Sequence, residues 1–374
     1  MLEIWRAGGS NTGASPELAR AVEAEGWDGQ MFMDSQSLSA DPYVQMGAWA
    51  VSTSRILLST GVTNPFTRNL AVTAAGAATV QAISGGRAVL GIGRGDSALA
   101  YLGYAPVGLA SFEAGLVSLQ ALLSGEEIGF ERSGESGGGA ASHQTLSLAG
   151  RPEGVQLRWL PKGLPKVPLD VAATGPKVIA MAARLAERVT FSVGAEPERI
   201  AWAVDVARTA REAAGLPLGG GSYGAQLVVV CHPDDDTAME VAMHMAPPLA
   251  RFQVIQGTAV GPHDAEAATN LDAIRSGYDM TEHGNIGSKA RIKGGALSPD
   301  FVRRFAIVGP PDHCVERLLA LRSAGVERFV VVGPGFYPAE WGTAANLFAR
   351  EVIPALRAAD AARNKQTHPD FSAV

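Results

Sequence analysis

Short apolar runs rich in β-branched residues alternate along the chain with longer segments in which apolar residues recur every three or four positions. The short runs are typical of buried strands and the longer segments of amphipathic helices. Eight runs are predicted strands: Leu2–Trp5, Gln30–Met33, Ile56–Thr60, Ala88–Ile92, Pro168–Ala172, Val189–Val193, Gln226–Cys231 and Arg328–Val332. The helical patterns between and after them are Pro16–Glu25, Pro42–Ser52, Leu70–Ile83, Phe112–Leu123, Lys177–Arg188, Pro197–Ala214 and Pro311–Ala324.

This alternation predicts parallel strands joined by crossover helices. Eight units favour an α/β fold that closes into a (β/α)8 TIM barrel over an open doubly wound sheet. The chain has 374 residues, a length that barrels with insertions reach as one domain. We therefore predict a single barrel domain over residues 1–374.

Two segments interrupt the alternation. Residues 131–166 open with the glycine-rich Ser133–Gly139 and continue into apolar runs at Leu146–Leu148 and Val155–Trp159, which predict a loop and a hairpin. Residues 247–299 contain Val260–His263, a helical stretch and Tyr278–Gly284. We predict both as insertions near the active-site mouth, where a lid and mere surface padding stay open as interpretations. Residues 364–374 are predicted to form a frayed tail.

Composition and charge narrow the class of partner. Apolar residues make up 47% and charged residues 18% of the chain, as in a globular protein with a large core. The formal charge of −6 gives no basic footprint, so we expect a small-molecule partner and neither nucleic acid nor membrane. Only Cys231 and Cys314 are present, which indicates a reducing compartment. With no secretory pattern and no long apolar run, the expected location is the cytoplasm.

In a parallel barrel, the residues just past each strand's carboxyl end meet on one face, where barrel enzymes carry out their chemistry. The predicted strand ends bring carboxylates, hydroxyls, an arginine and glycines to that face: Asp34–Ser35, Gly61–Pro65, Gly93–Asp96, Ala173–Lys177, Gly194–Glu196 and Gly333–Gly335. Among them, Ala172–Lys177 sets small residues before a proline at the first helical position, which exposes backbone N–H groups to an anion. It is a candidate phosphate site, and an ordinary helix cap is the alternative.

The glycine-rich run Gly91–Asp96 is not a dinucleotide fingerprint, because it lacks the third glycine and the acidic partner about 20 residues further on. It brings a cation and an acid to the barrel mouth, on a backbone that a ligand could approach closely. Arg94 suits a phosphate or carboxylate partner. An Arg94–Asp96 pair or a loop-stabilising salt bridge is the structural alternative.

Metal and nucleophile chemistry find little support. Cys231-His232 and His313-Cys314 have no CxxC or HExxH spacing, so we expect no metal site. No Gly-x-Ser-x-Gly elbow is present. His283 is either a substrate-facing general acid or a hydrogen-bonded lid residue, and both interpretations stay open.

Two stretches together resemble a known family. Gly61–Arg68 reads Gly-Val-Thr-Asn-Pro-Phe-Thr-Arg, and Gly85–Asp96 follows the helical pattern Leu70–Ser84. They look like the luciferase-like group of flavin- and deazaflavin-dependent oxidoreductases, above all its methylenetetrahydromethanopterin reductase-like members, which use coenzyme F420. The resemblance is dense over residues 28–124, recognisable over 166–215 and 300–335, and absent from the two insertions.

The resemblance implies roles for particular residues. It implies a cis peptide at Gly61-Val62 that backs the central ring of the cofactor, with Thr63 and Asn64 lining the ring. Arg94 matches a position that binds the FMN phosphate, and Asp96 matches an acid near the ring in some F420 enzymes. The remaining cofactor-binding residues would wrap the phosphate side and complete its cradle: Ala173, Thr174, Gly175, Pro176, Ser192, Val193 and Gly194.

The sequence also departs from the family pattern. F420-dependent sugar-phosphate and alcohol dehydrogenases carry a histidine acid or base after the aspartate of strand two, whereas Ser35 follows Asp34 here. Alcohol oxidation by that mechanism is therefore not expected. Asn69 also replaces a common histidine. The candidate catalytic residues are Asp34, Ser35, Asp96 and His283.

The activity that the resemblance implies is hydride transfer between F420 and a small organic substrate. An FMNH2-dependent monooxygenase using O2 is the alternative, and a non-catalytic flavin-binding barrel is the alternative of another class. Arg94 favours FMN and Gly61–Pro65 favours F420, so the choice of cofactor stays open. The family also implies a homodimer that pairs through the early helices.

Overall fold

The strands of this protein run parallel in one sheet. The computed structural model describes residues 2–11, 15–133, 147, 149–285, 288, 290–293 and 297–367, the last four without their side chains. In these residues the strands are β1 (Glu3–Gly8), β2 (Gly29–Phe32), β3 (Leu57–Thr60), β4 (Ala88–Ile92), β5 (Leu169–Ala173), β6 (Arg188–Phe191), β7 (Ser222–Cys231), β8 (Ile307–Gly309) and β9 (Arg328–Val332).

Eight of these strands close into a barrel. The ring runs β1 to β7 and then β9, which pairs with β1 through Glu3 opposite Arg328. All eight predicted strands are barrel strands, so the TIM-barrel prediction is confirmed. The ninth strand, β8, was not predicted and pairs with the last residues of β7, Val229 lying opposite Ile307.

Helices cover the outside of the barrel. They are α1 (Pro16–Ala24), α2 (Pro42–Ser52), α3 (Leu70–Ser84), α4 (Ser97–Ala100), α5 (Leu109–Leu123), α6 (Pro176–Leu185), α7 (Pro197–Ala213), α8 (Asp235–Ala250), α9 (Ala265–Gly277), α10 (Pro299–Phe305), α11 (Pro311–Ser323) and α12 (Ile353–Thr367). Proline stands in the first turn of α1, α2, α6, α7, α10 and α11, where its missing N–H costs no hydrogen bond. None of the described helices combines the length and the apolar character needed to span a bilayer.

The core has separate layers. Trp5, Ala7, Met31, Val89 and Val330 fill the barrel interior. A larger layer packs the outer faces of the strands against the helices, because the strands of a parallel barrel are buried on both faces. A further cluster lies under α8, α9 and α10.

The two predicted insertions differ in the structure. Residues 247–299 contain α9 and the end of α8, and their apolar side chains belong to the cluster under these helices. In the first insertion, Val155 pairs with Ile128, and the predicted partner residues Leu146 and Leu148 lie outside the described residues. Helix α12 continues to Thr367, into the segment predicted to fray. Residues 368–374 are outside the described part.

Candidate active site

The loop after β3 is held against the loop after β4. The Gly61-Val62 peptide bond is cis, which confirms the expectation drawn from the family resemblance. The Thr63 N–H donates to the Gly91 carbonyl (3.0 Å), and the Gly93 N–H donates to the Thr63 carbonyl (2.9 Å). These bonds extend the β3–β4 pairing beyond the strands and fix the two motifs side by side.

Gly93 and Gly95 make room for the neighbouring β3 loop. A Cβ on Gly93 would lie 3.0 Å from Val62 Cγ2. A Cβ on Gly95 would lie 2.9 Å from Asn64 Cβ, and Gly95 also has a φ of +71°. The sequence predicted that these glycines admit a ligand, whereas their open faces contact Val62 and Asn64.

Asn64 organises the turn that follows the cis peptide. Its Oδ1 accepts from the N–H groups of Phe66 and Thr67, each at 3.0 Å. Asn64 is fully buried, and its Nδ2 donates to no described residue. An amide whose oxygen is satisfied and whose NH2 group has no partner can donate to a ligand carbonyl or ring nitrogen.

Arg94 and Asp96 do not pair, so that part of the structural alternative is wrong, whereas a salt bridge that stabilises the loop is present at Asp96. Arg94 Nε donates to the Val107 carbonyl (2.6 Å). Asp96 instead forms an ion pair with Arg251, whose side chain is 4% exposed. The left-handed turn at Gly95 separates the two side chains.

Arg251 joins Asp96 to His283. Its Nη2 lies 3.3 Å from His283 Nε2, and His283 Nδ1 lies 2.7 Å from the Tyr278 hydroxyl. Burial, reinforced by the charge of Arg251, lowers the pKa of His283 to about 4. The imidazole is therefore neutral at pH 7, with both ring nitrogens engaged by neighbours.

A short part of the second insertion crosses the barrel mouth. We call residues Tyr278–Gly284 the bridging segment. The Tyr101 hydroxyl, which follows β4, donates to the Met280 carbonyl (2.7 Å). A Cβ on Gly284 would lie 2.8 Å from Leu38 Cδ2, in the loop after β2. Since β3 lies between β2 and β4, the bridging segment spans the loops on both sides of the cis peptide.

The start of α6 has no side-chain cap. Gly175 is the N-cap residue, Pro176 opens the helix, and a Cβ on Gly175 would meet no atom within 4 Å. An uncapped helix start with open space in front of it fits an anion. Strand pairing of β4 with β5 brings this turn next to the β4 loop that carries Arg94.

Ser192, Val193 and Gly194 follow the neighbouring strand. The Ser192 N–H donates to the Ala173 carbonyl (3.0 Å), and its hydroxyl donates to Gln226 Oε1 (2.8 Å). The Val193 carbonyl accepts from Arg199 and Gln253. A Cβ on Gly194 would lie 2.8 Å from Phe305. Ser192 thus adjoins the α6 turn, whereas Val193 and Gly194 contact later parts of the chain.

Asp34 and Ser35 are engaged in holding loops together. Asp34, whose side chain is 1% exposed, pairs with Arg68 at 2.5 Å, and Arg68 also binds Asp41 at 2.8 Å. The Ser35 hydroxyl lies 3.2 Å from that of Ser97. Both residues connect the loops around β3, and Asp34 contacts neither Asp96 nor His283 in the structure.

Sequence reasoning missed Arg251 and gave Tyr278 no role. Arg251 lies 155 residues from its partner Asp96, so no local pattern links them. A signal was available in its surroundings. Arg251 follows the helical Pro247–Ala250 directly and precedes Phe252, and an arginine in such an apolar stretch is rarely buried unless it has a charged partner. Among the described residues, no cluster of three or more His, Cys, Asp or Glu side chains could hold a metal ion.

The chain is similar to known proteins over most of its length. The chain is 26% identical over 336 residues to the 5,10-methylenetetrahydromethanopterin reductase of Methanolobus tindarius, covering 84% of this chain and 89% of that protein. It superposes on the coenzyme F420-dependent tetrahydromethanopterin reductase of Methanopyrus kandleri with a TM-score of 0.68 and 22% identity, over 95% of this chain and 99% of the other.

The oxygenating constituent of 3,6-diketocamphane monooxygenase from Pseudomonas putida, solved with FMN, superposes with a TM-score of 0.62 and 17% identity, over 95% of this chain and 99% of the other. At these identities the two solved structures inform on the fold alone. The model of the family described as luciferase-like monooxygenase matches residues 5–328. The chain therefore belongs to the luciferase-like monooxygenase family.

Proposed function

We propose that this protein transfers a hydride between coenzyme F420 and a small organic substrate. The observation that carries the proposal is that two features lie together at the barrel mouth. One is the segment Gly61–Asn64 after β3, held against the loop after β4, which we call the wall. The other is the uncapped start of α6. A ring with a phosphate-bearing tail needs both. The match to a methylenetetrahydromethanopterin reductase over 84% of the chain favours the deazaflavin over FMN.

The residues at the mouth fit such a cofactor. The buried Asn64 Nδ2 has an unused donor beside the wall, suited to a polar ring edge. The open space before Gly175 and the turn Ala173–Pro176 suit the phosphate, with Thr174 adding a hydroxyl. Ser192 adjoins this turn and would contact the same group.

F420, when bound, supplies or accepts the hydride. The chain's own residues orient it against Gly61–Asn64 and exclude water. The bridging segment, which spans the loops on both sides of β3, acts as the lid. Asp96 and His283 belong to the Arg251 cluster beside the bridging segment, and Asp34 and Ser35 hold the loops around β3.

The test is anaerobic oxidation of reduced F420 by two hydride acceptors, 5,10-methylenetetrahydromethanopterin and acetone. We expect loss of the reduced cofactor with at least one of them and no need for O2. If reduced F420 is stable with both acceptors, but reduced FMN and O2 oxygenate one of them only when the protein is present, the hydride-transfer proposal fails.

That second outcome would favour a monooxygenase, the other candidate function. The observation behind it is Arg94, whose guanidinium is held only by its Nε among described partners. Its remaining N–H groups suit the phosphate of FMN. An FMN affinity that is unchanged in Arg94→Ala would remove this support.

A homodimer is the proposed assembly, and an apolar face supports it. Helices α2 and α3 contain no charged residue. Their outer positions leave large side chains exposed, including Val44 at 72%, Val51 at 74% and Val72 at 58%. A contiguous face of this kind on adjacent helices is typical of a protein interface. A second copy that pairs through the same face would cover it.

The proposed location is the cytoplasm. Both cysteines, Cys231 and Cys314, are free and buried. Free thiols suit a reducing compartment. We also propose a small-molecule substrate, because the candidate site lies in the barrel mouth and not on a broad basic surface.

A further inference from the structure

The hydrogen bonds around His283 determine which side chain holds a transferable proton. A guanidinium only donates, so His283 Nε2, 3.3 Å from Arg251 Nη2, accepts. A neutral imidazole with an accepting Nε2 carries its proton on Nδ1. That Nδ1–H therefore donates to the Tyr278 oxygen at 2.7 Å. The hydroxyl proton of Tyr278 is left for a third partner.

No described residue takes the remaining proton of Tyr278. Among the described residues its oxygen interacts with His283 and with the guanidinium of Arg251, and a guanidinium only donates, so neither takes the hydroxyl proton. Tyr278 opens the bridging segment, which contacts Leu38 after β2 and Tyr101 after β4. Tyr278 is therefore part of the segment that lies over Gly61–Asn64, where a substrate would lie against the cofactor.

We propose that Tyr278 donates the proton that accompanies hydride transfer, with Arg251 and His283 as positioning residues. This inference rests on the proposed function. It assigns a substrate class: a carbon that accepts hydride next to an oxygen or nitrogen that accepts a proton. The chain Asp96–Arg251–His283–Tyr278 fixes the direction of that donor.

The step balances. Hydride from reduced F420 forms a C–H bond, and the electron pair of the breaking carbon–oxygen or carbon–nitrogen bond moves to the heteroatom. That atom takes the Tyr278 proton, the cofactor is oxidised, and water reprotonates the tyrosinate. The His283 Nδ1–H and the nearby guanidinium of Arg251 stabilise the tyrosinate in the meantime.

Burial keeps the Tyr278 hydroxyl protonated. Burial raises its pKa above the usual 10.0, while the neighbouring Arg251 and Arg291 oppose that rise and Asp96 adds to it. Neutral His283 completes the set of titratable groups that face the hydroxyl. The phenol is therefore a proton donor throughout the neutral range.

The first test needs no cofactor. Nitrogen NMR of histidine-labelled protein at pH 7 reports which ring nitrogen is protonated, and His283→Gln assigns the signal. We expect the Nδ1–H form. An Nε2–H form would overturn the inference, because Tyr278 would then have to donate to His283.

The second test is Tyr278→Phe, compared with Tyr104→Phe, which removes a hydroxyl from an exposed tyrosine. With the acceptor that the parent reduces, we expect Tyr278→Phe to bind F420 as the parent does and to lower kcat by about 100-fold or more, the usual contribution of general acid catalysis. Tyr104→Phe should match the parent. Unchanged kcat in Tyr278→Phe would overturn the inference.

The positioning role of His283 has its own readout. His283→Gln keeps one acceptor and one donor, whereas His283→Leu keeps neither. We expect kcat to fall less in the glutamine variant, with KM changed little in both. Equal losses in the two variants would count against the relay. A parent that binds no F420 removes the proposed function and this inference together, whereas an active parent with an equally active Tyr278→Phe removes the inference alone.

Discussion

At the scale of single residues, close packing between two loops explains why glycine occupies position 95. Asn64 fills the space where a Cβ would be, and the φ of +71° adds a conformational cost for any other residue. The position of Asp96, and with it the ion pair to Arg251, depends on this turn. The loops after β3 and β4 therefore act as one unit.

Gly95→Ala should destabilise the protein by about 3 kcal/mol or more, the sum of a left-handed alanine and an overpacked contact. Gly103→Ala is the matched control, because its φ of +81° is similar but a Cβ there meets nothing within 4 Å. Gly103→Ala should lower the free energy of unfolding only by the cost of a left-handed alanine, about 1–2 kcal/mol. Urea unfolding measures both, and equal losses would contradict the packing argument.

His283 makes stability depend on pH. Its pKa is about 4 in the folded protein and about 6.5 in the unfolded chain. Between these values only the unfolded chain binds the proton, so the free energy of unfolding falls as pH is lowered from 6.5 towards 4. Below that range both states are protonated and the effect is complete.

The measurement is urea unfolding of the parent and His283→Gln at pH 7.5 and pH 5. The parent should lose more stability between these pH values than the variant, since other groups titrate equally in both. The same loss in both proteins would show that His283 is not held neutral by Arg251 and by burial.

At the scale of elements, the proposed phosphate site depends on the start of α6. Helix α6 lacks a side-chain cap, and Gly175 has open space in front of it. A protein that needed this helix only for stability could gain from a capping residue here. The exposed N–H groups are what a bound phosphate would use.

Gly175→Asp should separate stability from binding. The new carboxylate caps α6 and raises the free energy of unfolding of the unliganded protein by about 1 kcal/mol. The same negative charge repels the phosphate, so F420 affinity should fall. Gly175→Asn caps without charge and should weaken binding less. Unchanged F420 affinity in Gly175→Asp, measured by fluorescence titration, would remove the phosphate site from this turn.

Element prediction succeeded where the local pattern was strong. Ala88–Ile92 and Arg328–Val332 are strands with the predicted bounds, because each holds a run of apolar residues that is almost entirely buried, after Arg328 in the second strand. Strand β8 has only three residues, Ile307–Gly309, too few for a periodic signal. The first residues of β7 were missed because serine, glycine and glutamine interrupt the run from Ser222 to Gln226.

At the scale of the whole molecule, the barrel could be predicted and the closure of its mouth could not. Alternation of strands and helices is a local property, repeated eight times, and closure follows from it. The contact between Asp96 and Arg251 joins the loop after β4 to the segment after α8 across 155 residues. Charge pairing at that separation has no sequence pattern, so the relay to Tyr278 emerged only from the structure.

The assembly is tested by charging the apolar face. Val44→Glu combined with Val72→Glu should give a monomer at concentrations where the parent is a dimer, because two carboxylates on each copy would be buried in the interface. Val260→Glu is the control, since Val260 is 53% exposed in the second insertion, away from α2 and α3. Light scattering after size exclusion gives the masses, and a dimeric double variant would place the interface elsewhere.

The central claim is that the mouth binds a deazaflavin ring against Gly61–Asn64 and its phosphate at α6. Parallel equilibrium titration of the parent with F420 and with FMN tests it most directly. We predict saturable F420 binding that is tighter than FMN binding and weakened in Gly175→Asp. Tight FMN binding without F420 binding would contradict the choice of cofactor, and binding of neither would contradict the assignment of the site.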